Sequence, residues 1–121
     1  MTDQNTYHNI RNEVLRLQAD LCKSLSDPKR LQIIQELRYG EKAVRELAGI
    51  LGLKQSNTSQ HLAVLRRIGV LTPRKEGNAV YYRLSDSKIA EACDLVHEVI
   101  AGQLRRNNAL LQTETDIRQT V

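Results

Sequence analysis

The chain of 121 residues has no tryptophan, no phenylalanine and only four tyrosines, so aromatic residues make up 3% of the sequence. A core without large rings must be built from leucine, isoleucine, valine and alanine, a composition typical of helical bundles. Long apolar runs are missing as well, and no stretch approaches the ~20 residues that cross a bilayer. The sequence therefore predicts one small, mainly helical domain with no membrane contact.

Cysteines and catalytic motifs are equally sparse. Cys22 and Cys93 lie far apart and outside any Cys-x-x-Cys spacing, which predicts free thiols in a reducing compartment. Residues 1–9 are polar, unlike a secretory signal, so we expect a cytoplasmic protein. No Ser-His-Asp set, glycine-rich phosphate loop or acid pair at workable spacing is visible, and the three histidines are scattered. We expect neither an enzyme nor a bound cofactor or metal.

Residues 41–83 have the order of a helix, a tight turn, a second helix and a short basic hairpin. Gly52 can adopt the left-handed conformation that closes the first helix. The second helix begins near Gln55 or Ser56 and ends at Gly69. This layout is that of a winged helix-turn-helix, which binds duplex DNA. The apolar residues with helical spacing are Val44, Leu47, Ala48 and Leu51 in the first helix and Leu62, Leu65 and Ile68 in the second.

Two helices are predicted before this motif. The first runs from about Tyr7 to Ser24. The second starts at Pro28, behind the N-cap residue Asp27, and ends near Gly40. The residues that the second helix is expected to carry inward are Leu31, Ile34 and Leu37.

A hairpin and a last helix follow the motif. Two extended runs, 71–75 and 79–84, surround the turn residues 76–78. By the two-residue period of a strand, Val80, Tyr82 and Leu84 would face the core, while Tyr81 and Arg83 would face outward. The last helix is capped by Ser85 or Asp86. The expected fold is mainly α with a small β-hairpin wing, in the order α-α-α-α-β-β-α, as one domain over residues 7–112 between flexible ends, 1–6 and 113–121.

The net positive charge of the chain, +4, is concentrated in one segment. Residues 54–83 contain six basic and one acidic residue, a net of +5, and the remainder of the chain carries −1. Charge and motif thus coincide, which favours nucleic-acid binding over an ordinary solvated face.

The second helix of the motif has a polar face opposite its buried one. Short polar side chains suit base edges in a major groove, whereas cations hold phosphates. The alternative is an amphipathic surface helix with a wet side. Residues predicted to read bases are Ser56, Asn57, Ser59, Gln60 and Ala63. Residues predicted to contact the DNA backbone are Lys54, His61, Arg66 and Arg67, with Arg74, Lys75, Asn78, Tyr81 and Arg83 in the wing.

The first and last helices carry more apolar surface than a small core needs, which predicts a homodimer. Such a dimer would place two reading helices in successive major grooves ~34 Å apart, on an imperfect inverted repeat. The predicted interface stripes are Ile10, Val14, Leu17 and Leu21 on the first helix and Ile89, Cys93, Val96, Ile100 and Leu104 on the last.

Four motifs, taken in order, resemble the ArsR/SmtB family of repressors: residues 25–31, 44–48, 56–66 and 74–84. The Arg-Lys-Glu wing is most similar to the HlyU-like branch of that family. The resemblance covers about Leu21 to Leu104. It implies a winged-helix homodimer joined by its first and last helices, which binds operator DNA and is usually released by an inducer.

The sensing sites of that family are not matched. Residues 46–50 lack the thiolates of one metal site, and Asp86, Lys88, Val99 and Gly102 stand where the other site has its ligands. Ile34 and Gln35 occupy the position of one sensing cysteine. Cys22 and Cys93 still allow a redox-responsive regulator as an alternative, although packing is the simpler role for both. A second alternative is an interaction module that has lost DNA binding.

Overall fold

The computed structural model describes the backbone of residues 2–120 and the side chains of residues 3–109. Two compact units are present, residues 1–87 and residues 88–121. The first contains α1 (Thr2–Ser24), α2 (Pro28–Leu37), β1 (Lys42–Ala43), α3 (Val44–Leu51), α4 (Gln55–Arg67), β2 (Leu71–Glu76) and β3 (Ala79–Leu84). The second is the single helix α5 (Lys88–Thr120).

The predicted order of elements is confirmed, with one addition. The two-residue strand β1 pairs antiparallel with β3, so the wing is a three-stranded sheet in the order β1-β3-β2. A strand of two residues has no alternation to detect, which is why the sequence pattern missed it. The helix α1 also begins at Thr2, five residues before the predicted start.

Local signals explain where α2 begins and where α3 begins and ends, while α2 itself ends at Leu37, three residues before the predicted Gly40. The Asp27 carboxylate accepts hydrogen bonds from the amides of Lys29 at 2.8 Å and Arg30 at 3.4 Å, and Pro28 occupies the first turn of α2. The Glu46 carboxylate accepts from the Ala43 amide at the start of α3, at 3.3 Å. Gly52, at φ 66°, closes α3 in the left-handed conformation.

The core of the first unit is aliphatic, as the composition predicts. The helices α2, α3 and α4 pack on one another, and the sheet packs against them. Tyr82 is the one aromatic residue among the buried hydrophobic side chains that the structure describes. The other core residues of this unit are Ile33, Ile34, Leu37, Leu47, Ala48, Leu51, Leu62, Leu65, Val70 and Leu71.

The prediction for Leu31 is wrong. Leu31 is 42% exposed, and Ile33 is fully buried in its place beside Ile34. Successive residues of a helix are rotated by ~100° about its axis, so Ile33, Leu37 and Ile34 lie side by side and form one buried stripe. Leu31 lies about 110° around the helix from the middle of that stripe.

The wing departs from strict alternation. Tyr82 is buried and Arg83 is exposed, as predicted, but Val80 and Leu84 are only half-buried. Tyr81, predicted to face outward, is half-buried as well, because the Arg74 side chain covers its ring. Along the described part of the chain, no helix is both long and apolar enough to cross a membrane.

Candidate DNA-binding surface

The helix α4 has a buried face, which we call the dry face, and an exposed polar face on the opposite side, which we call the wet face. Thr58, Leu62 and Leu65 are fully buried. The Thr58 hydroxyl reaches this apolar side because it donates to the Lys54 carbonyl, at 3.0 Å, within its own first turn. The five residues predicted to read bases are all exposed, on the opposite and flanking positions: Ser56, Asn57, Ser59, Gln60 and Ala63.

The side chains of this outer face are available to a partner. None of the side-chain hydrogen bonds among the described residues involves Ser56, Asn57, Ser59 or Gln60. Donors and acceptors that water alone satisfies can be transferred to base edges without breaking an internal contact. The outer face of α4 therefore has the chemistry that direct readout of a major groove requires.

The cations around α4 are placed at its two ends. Lys54 is exposed just before the helix, and Arg66 and Arg67 are exposed in its last turn, where the helix dipole favours positive charge. His61 is half-buried, at the edge of the dry face. In the wing, Lys75, Asn78 and Arg83 are exposed.

Arg74 differs from the other wing cations because two carboxylates hold it. Its Nε donates to Glu41 Oε2 at 3.1 Å, and its Nη2 donates to Glu41 Oε1 at 2.5 Å. Its Nη1 donates to Glu76 Oε2 at 2.7 Å, and its Cζ lies 4.7 Å from the centre of the Tyr81 ring. We call Glu41, Arg74, Glu76 and Tyr81 the wing clamp.

The electrostatics of the wing clamp are those of a tight ion pair. The hydrogen bonds from Arg74 hold the pKa of the Glu41 carboxyl below its usual value. The hydrogen bonds to Glu41 and then to Glu76 raise the pKa of Arg74 above its usual range. Glu41 lies outside the basic segment, so nothing in the local pattern of residues 54–83 signalled its role.

A cleft of about 530 Å³ is lined by residues from the start of α3, the start of α4 and the hairpin. It brings together three of the predicted site residues, Ser59, Asn78 and Tyr81. Arg45 and Gln55 also line it, and the sequence pattern singled out neither for DNA contact. Both belong to the first turn of a helix of the motif, and that position is the signal that finds them.

The apolar stripes of α1 and α5 are largely exposed, each on its own unit. On α1, Ile10, Val14 and Leu17 are 57%, 55% and 49% exposed, and Leu21 is half-buried. On α5, Val96, Ile100 and Leu104 are 63%, 52% and 57% exposed, while Ile89 and Cys93 are half-buried. Further exposed apolar residues widen both stripes beyond the prediction: Tyr7 and Leu15 on α1, and Leu95 and Val99 on α5.

The two cysteines lie on different helices. Cys22 is exposed on α1, Cys93 is half-buried on α5, and neither is in a disulfide. Within the part of the chain that the structure describes, no three His, Cys, Asp or Glu side chains are grouped so as to hold a metal ion.

Comparison with known proteins identifies the family. Residues 27–72 match the model of bacterial regulatory proteins of the arsR family. An HTH-type transcriptional regulator of Mycobacterium tuberculosis is 38% identical over 98 residues, which cover 80% of this chain and 86% of that protein. This chain belongs to the arsR family.

Two further proteins are similar to this chain, one in sequence and one in fold. The transcriptional activator HlyU of Vibrio cholerae is 42% identical over 79 residues, which cover 65% of this chain and 73% of HlyU. The solution structure of a homodimeric winged helix-turn-helix DNA-binding domain from Mycobacterium bovis superposes with a TM-score of 0.72. That domain is 31% identical to this chain, and the match covers 79% of this chain and 89% of the domain.

The arsR family membership confirms the predicted winged helix-turn-helix and the predicted class of function, a DNA-binding transcriptional regulator. It does not favour the redox-responsive alternative. The roles of individual residues of the surface stay predictions.

Proposed function

We propose that this chain is a homodimeric transcriptional repressor that recognises an imperfect inverted-repeat operator and is released by an inducer. It acts by binding, without catalysis, and it works in the bacterial cytoplasm, where operator DNA is found. One observation carries the proposal: the wet face of α4 presents unengaged polar side chains beside a basic wing, opposite a face that is fully buried. A dimer seated on a promoter represses by occlusion, which needs no further contact.

Each residue class has a proposed role. Ser56, Asn57, Ser59, Gln60 and Ala63 lie in the major groove and contact base edges. Gln60 makes a bidentate contact to adenine N6 and N7, and the Ala63 methyl packs against a thymine methyl. The residues that hold the DNA backbone are Lys54, His61, Arg66 and Arg67, with Lys75, Asn78, Tyr81 and Arg83 in the wing.

The partner for the exposed stripes of α1 and α5 is a second copy of this chain. Ile10, Val14 and Leu17 repeat on one side of α1, and each of these residues is at least 49% exposed. Apolar stripes of that length are costly to leave in water and are covered in a symmetric dimer. The homodimeric relative from Mycobacterium bovis, at 31% identity, supports the same assembly.

Selection of duplexes from a random pool by the full-length chain tests the proposal. We expect enrichment of a two-fold symmetric site whose half-site centres are ~34 Å apart, one helical turn. Light scattering of the protein with the selected duplex should give two chains per duplex. Enrichment of an asymmetric single half-site would overturn the dimeric assembly, and a pool without enrichment would overturn sequence-specific binding.

A further inference from the structure

Arg74 lies across the central strand of the wing sheet. In the order β1-β3-β2, Arg74 pairs with Tyr81, and Tyr81 pairs on its other side with Ala43. The guanidinium lies over the Tyr81 ring and ends on Glu41, immediately before β1. One side chain thus joins the outer strand β2 to the start of β1, over the strand between them.

In this arrangement few N–H donors of Arg74 remain for a phosphate. Each of its three guanidinium nitrogens donates to a carboxylate, and the two carboxylates of the wing clamp outweigh its single positive charge. A phosphate contact would require breaking the bidentate pair with Glu41. Lys75, the next residue on β2, is exposed and has no such partner among the described residues.

The same contacts connect the wing to the reading helix. The strand β1 continues directly into α3, and α3 packs on α4. A wing tied to β1 is therefore held at one angle to the helix that enters the major groove. Exposed ion pairs are usually weak, but a bidentate arginine in a network of several charges is the exception.

We propose that the wing clamp sets the angle between the wing and α4, so that Arg74 and Glu41 act as positioning residues for DNA binding rather than as phosphate contacts. This inference rests on the proposed DNA-binding function. It differs from the sequence-based expectation, in which Arg74 is one more backbone cation.

The dependence of DNA affinity on salt separates the two roles. Each phosphate contact that is lost lowers the slope of log K against log [salt] by about 0.9. We expect Arg74→Gln to weaken binding to the selected duplex about fivefold at every salt concentration, with the slope unchanged. Lys75→Gln is the matched control on the neighbouring residue. Because the homodimer carries Lys75 twice, this variant should lower the slope by about 1.8.

A double-mutant cycle with Glu41→Gln identifies the partner. If Arg74 acts through Glu41, Arg74→Gln should cost little further affinity once Glu41→Gln is present. Thermal melts of all variants separate this effect from unfolding, and Glu41→Gln, which retains one hydrogen-bond acceptor, remains informative if Arg74→Gln does not fold. A slope that falls for Arg74→Gln as it does for Lys75→Gln, or a full Arg74→Gln effect in the Glu41→Gln background, would overturn the inference.

Hydrogen exchange of the free protein tests the wing clamp without DNA. Both Arg74→Gln and Glu41→Gln should speed exchange of the backbone amides in Lys42–Ala43 and Ala79–Leu84, and Lys75→Gln should not. If the wild-type chain binds no duplex, the proposed function fails while this measurement still decides whether the clamp holds the wing. Unchanged exchange in both variants would refute the clamp even if DNA binding is confirmed.

Discussion

Lys29 Nζ, on the first turn of α2, donates a hydrogen bond of 2.8 Å to the carbonyl oxygen of Leu51, the last residue of α3. The carbonyls of a last helical turn have no partner within the helix, and a cation there also complements the helix dipole. Asp27 caps the start of α2 two residues before Lys29, so residues 27–29 cap both the start of α2 and the end of α3. The bond from Lys29 to Leu51 fixes how α3, the first helix of the DNA-binding motif, lies on α2.

Replacing Lys29 should therefore loosen the motif. Lys29→Met keeps the aliphatic stem and removes the charged donor, so we expect the free energy of unfolding to fall by about 1–2 kcal/mol. Urea unfolding measures the change. Lys75→Met, at an exposed lysine of β2, makes the same chemical substitution and should have an effect near zero. Equal losses in the two variants would show that the bond to Leu51 contributes nothing.

Gln60 should decide base preference. It lies on the exposed face of α4, so Gln60→Ala removes a bidentate contact without opening the core, and discrimination at one base pair of each half-site should fall by about 1–3 kcal/mol. Competition binding against duplexes substituted at each position measures this. Gln35→Ala, at an exposed glutamine of α2, should leave every preference intact. If Gln60→Ala weakens all sequences equally, α4 contacts backbone at this position.

Negative charge introduced into the apolar stripe of α1 should dissociate the homodimer. Val14 and Leu17 are about half exposed in the single chain, so Val14→Glu with Leu17→Glu should leave the fold of each chain intact while burying two carboxylates in the interface. We expect the mass from light scattering to fall from two chains to one at micromolar concentration, with helical circular dichroism retained. Ile50→Glu, at an apolar residue of α3 that is 43% exposed, is the control. A dimer that survives the double change would place the interface elsewhere.

Asp27 should make stability depend on pH in the acid range. Desolvation alone would raise the pKa of its carboxyl, but the hydrogen bonds from the Lys29 and Arg30 amides lower it below its usual value. Because the pKa of Asp27 is lower in the folded chain than in the unfolded chain, where it is about 3.9, the ionised carboxyl stabilises the fold at any pH above that value. This stabilisation is lost as the pH falls through the pKa of the folded chain. Asp27→Asn should thus melt below the wild type at pH 7, and the difference in Tm should shrink below about pH 4. A constant difference from pH 7 to pH 3 would contradict this assignment.

Much of the fold follows from local signals. The turn at Gly52, the cap at Asp27 and the dry and wet faces of α4 depend on residues within about one helical turn of each other, and the structure agrees with the sequence at all three. Leu31 shows the limit of such signals. An apolar residue near a stripe can lie on either side of it, and the neighbours that pack against α2 select Ile33 instead.

The sequence by itself determined that this chain has a winged helix-turn-helix with a polar outer face on α4 and a basic wing, because periodicity and capping act over a few residues. The tertiary structure alone decided that β1 joins the wing and that Arg74 faces Glu41, 33 residues away along the chain. The reason is the strand order. Once β3 lies between β1 and β2, residues that no local pattern connects come within hydrogen-bonding distance, and a cation that the sequence assigns to phosphate is held by carboxylates.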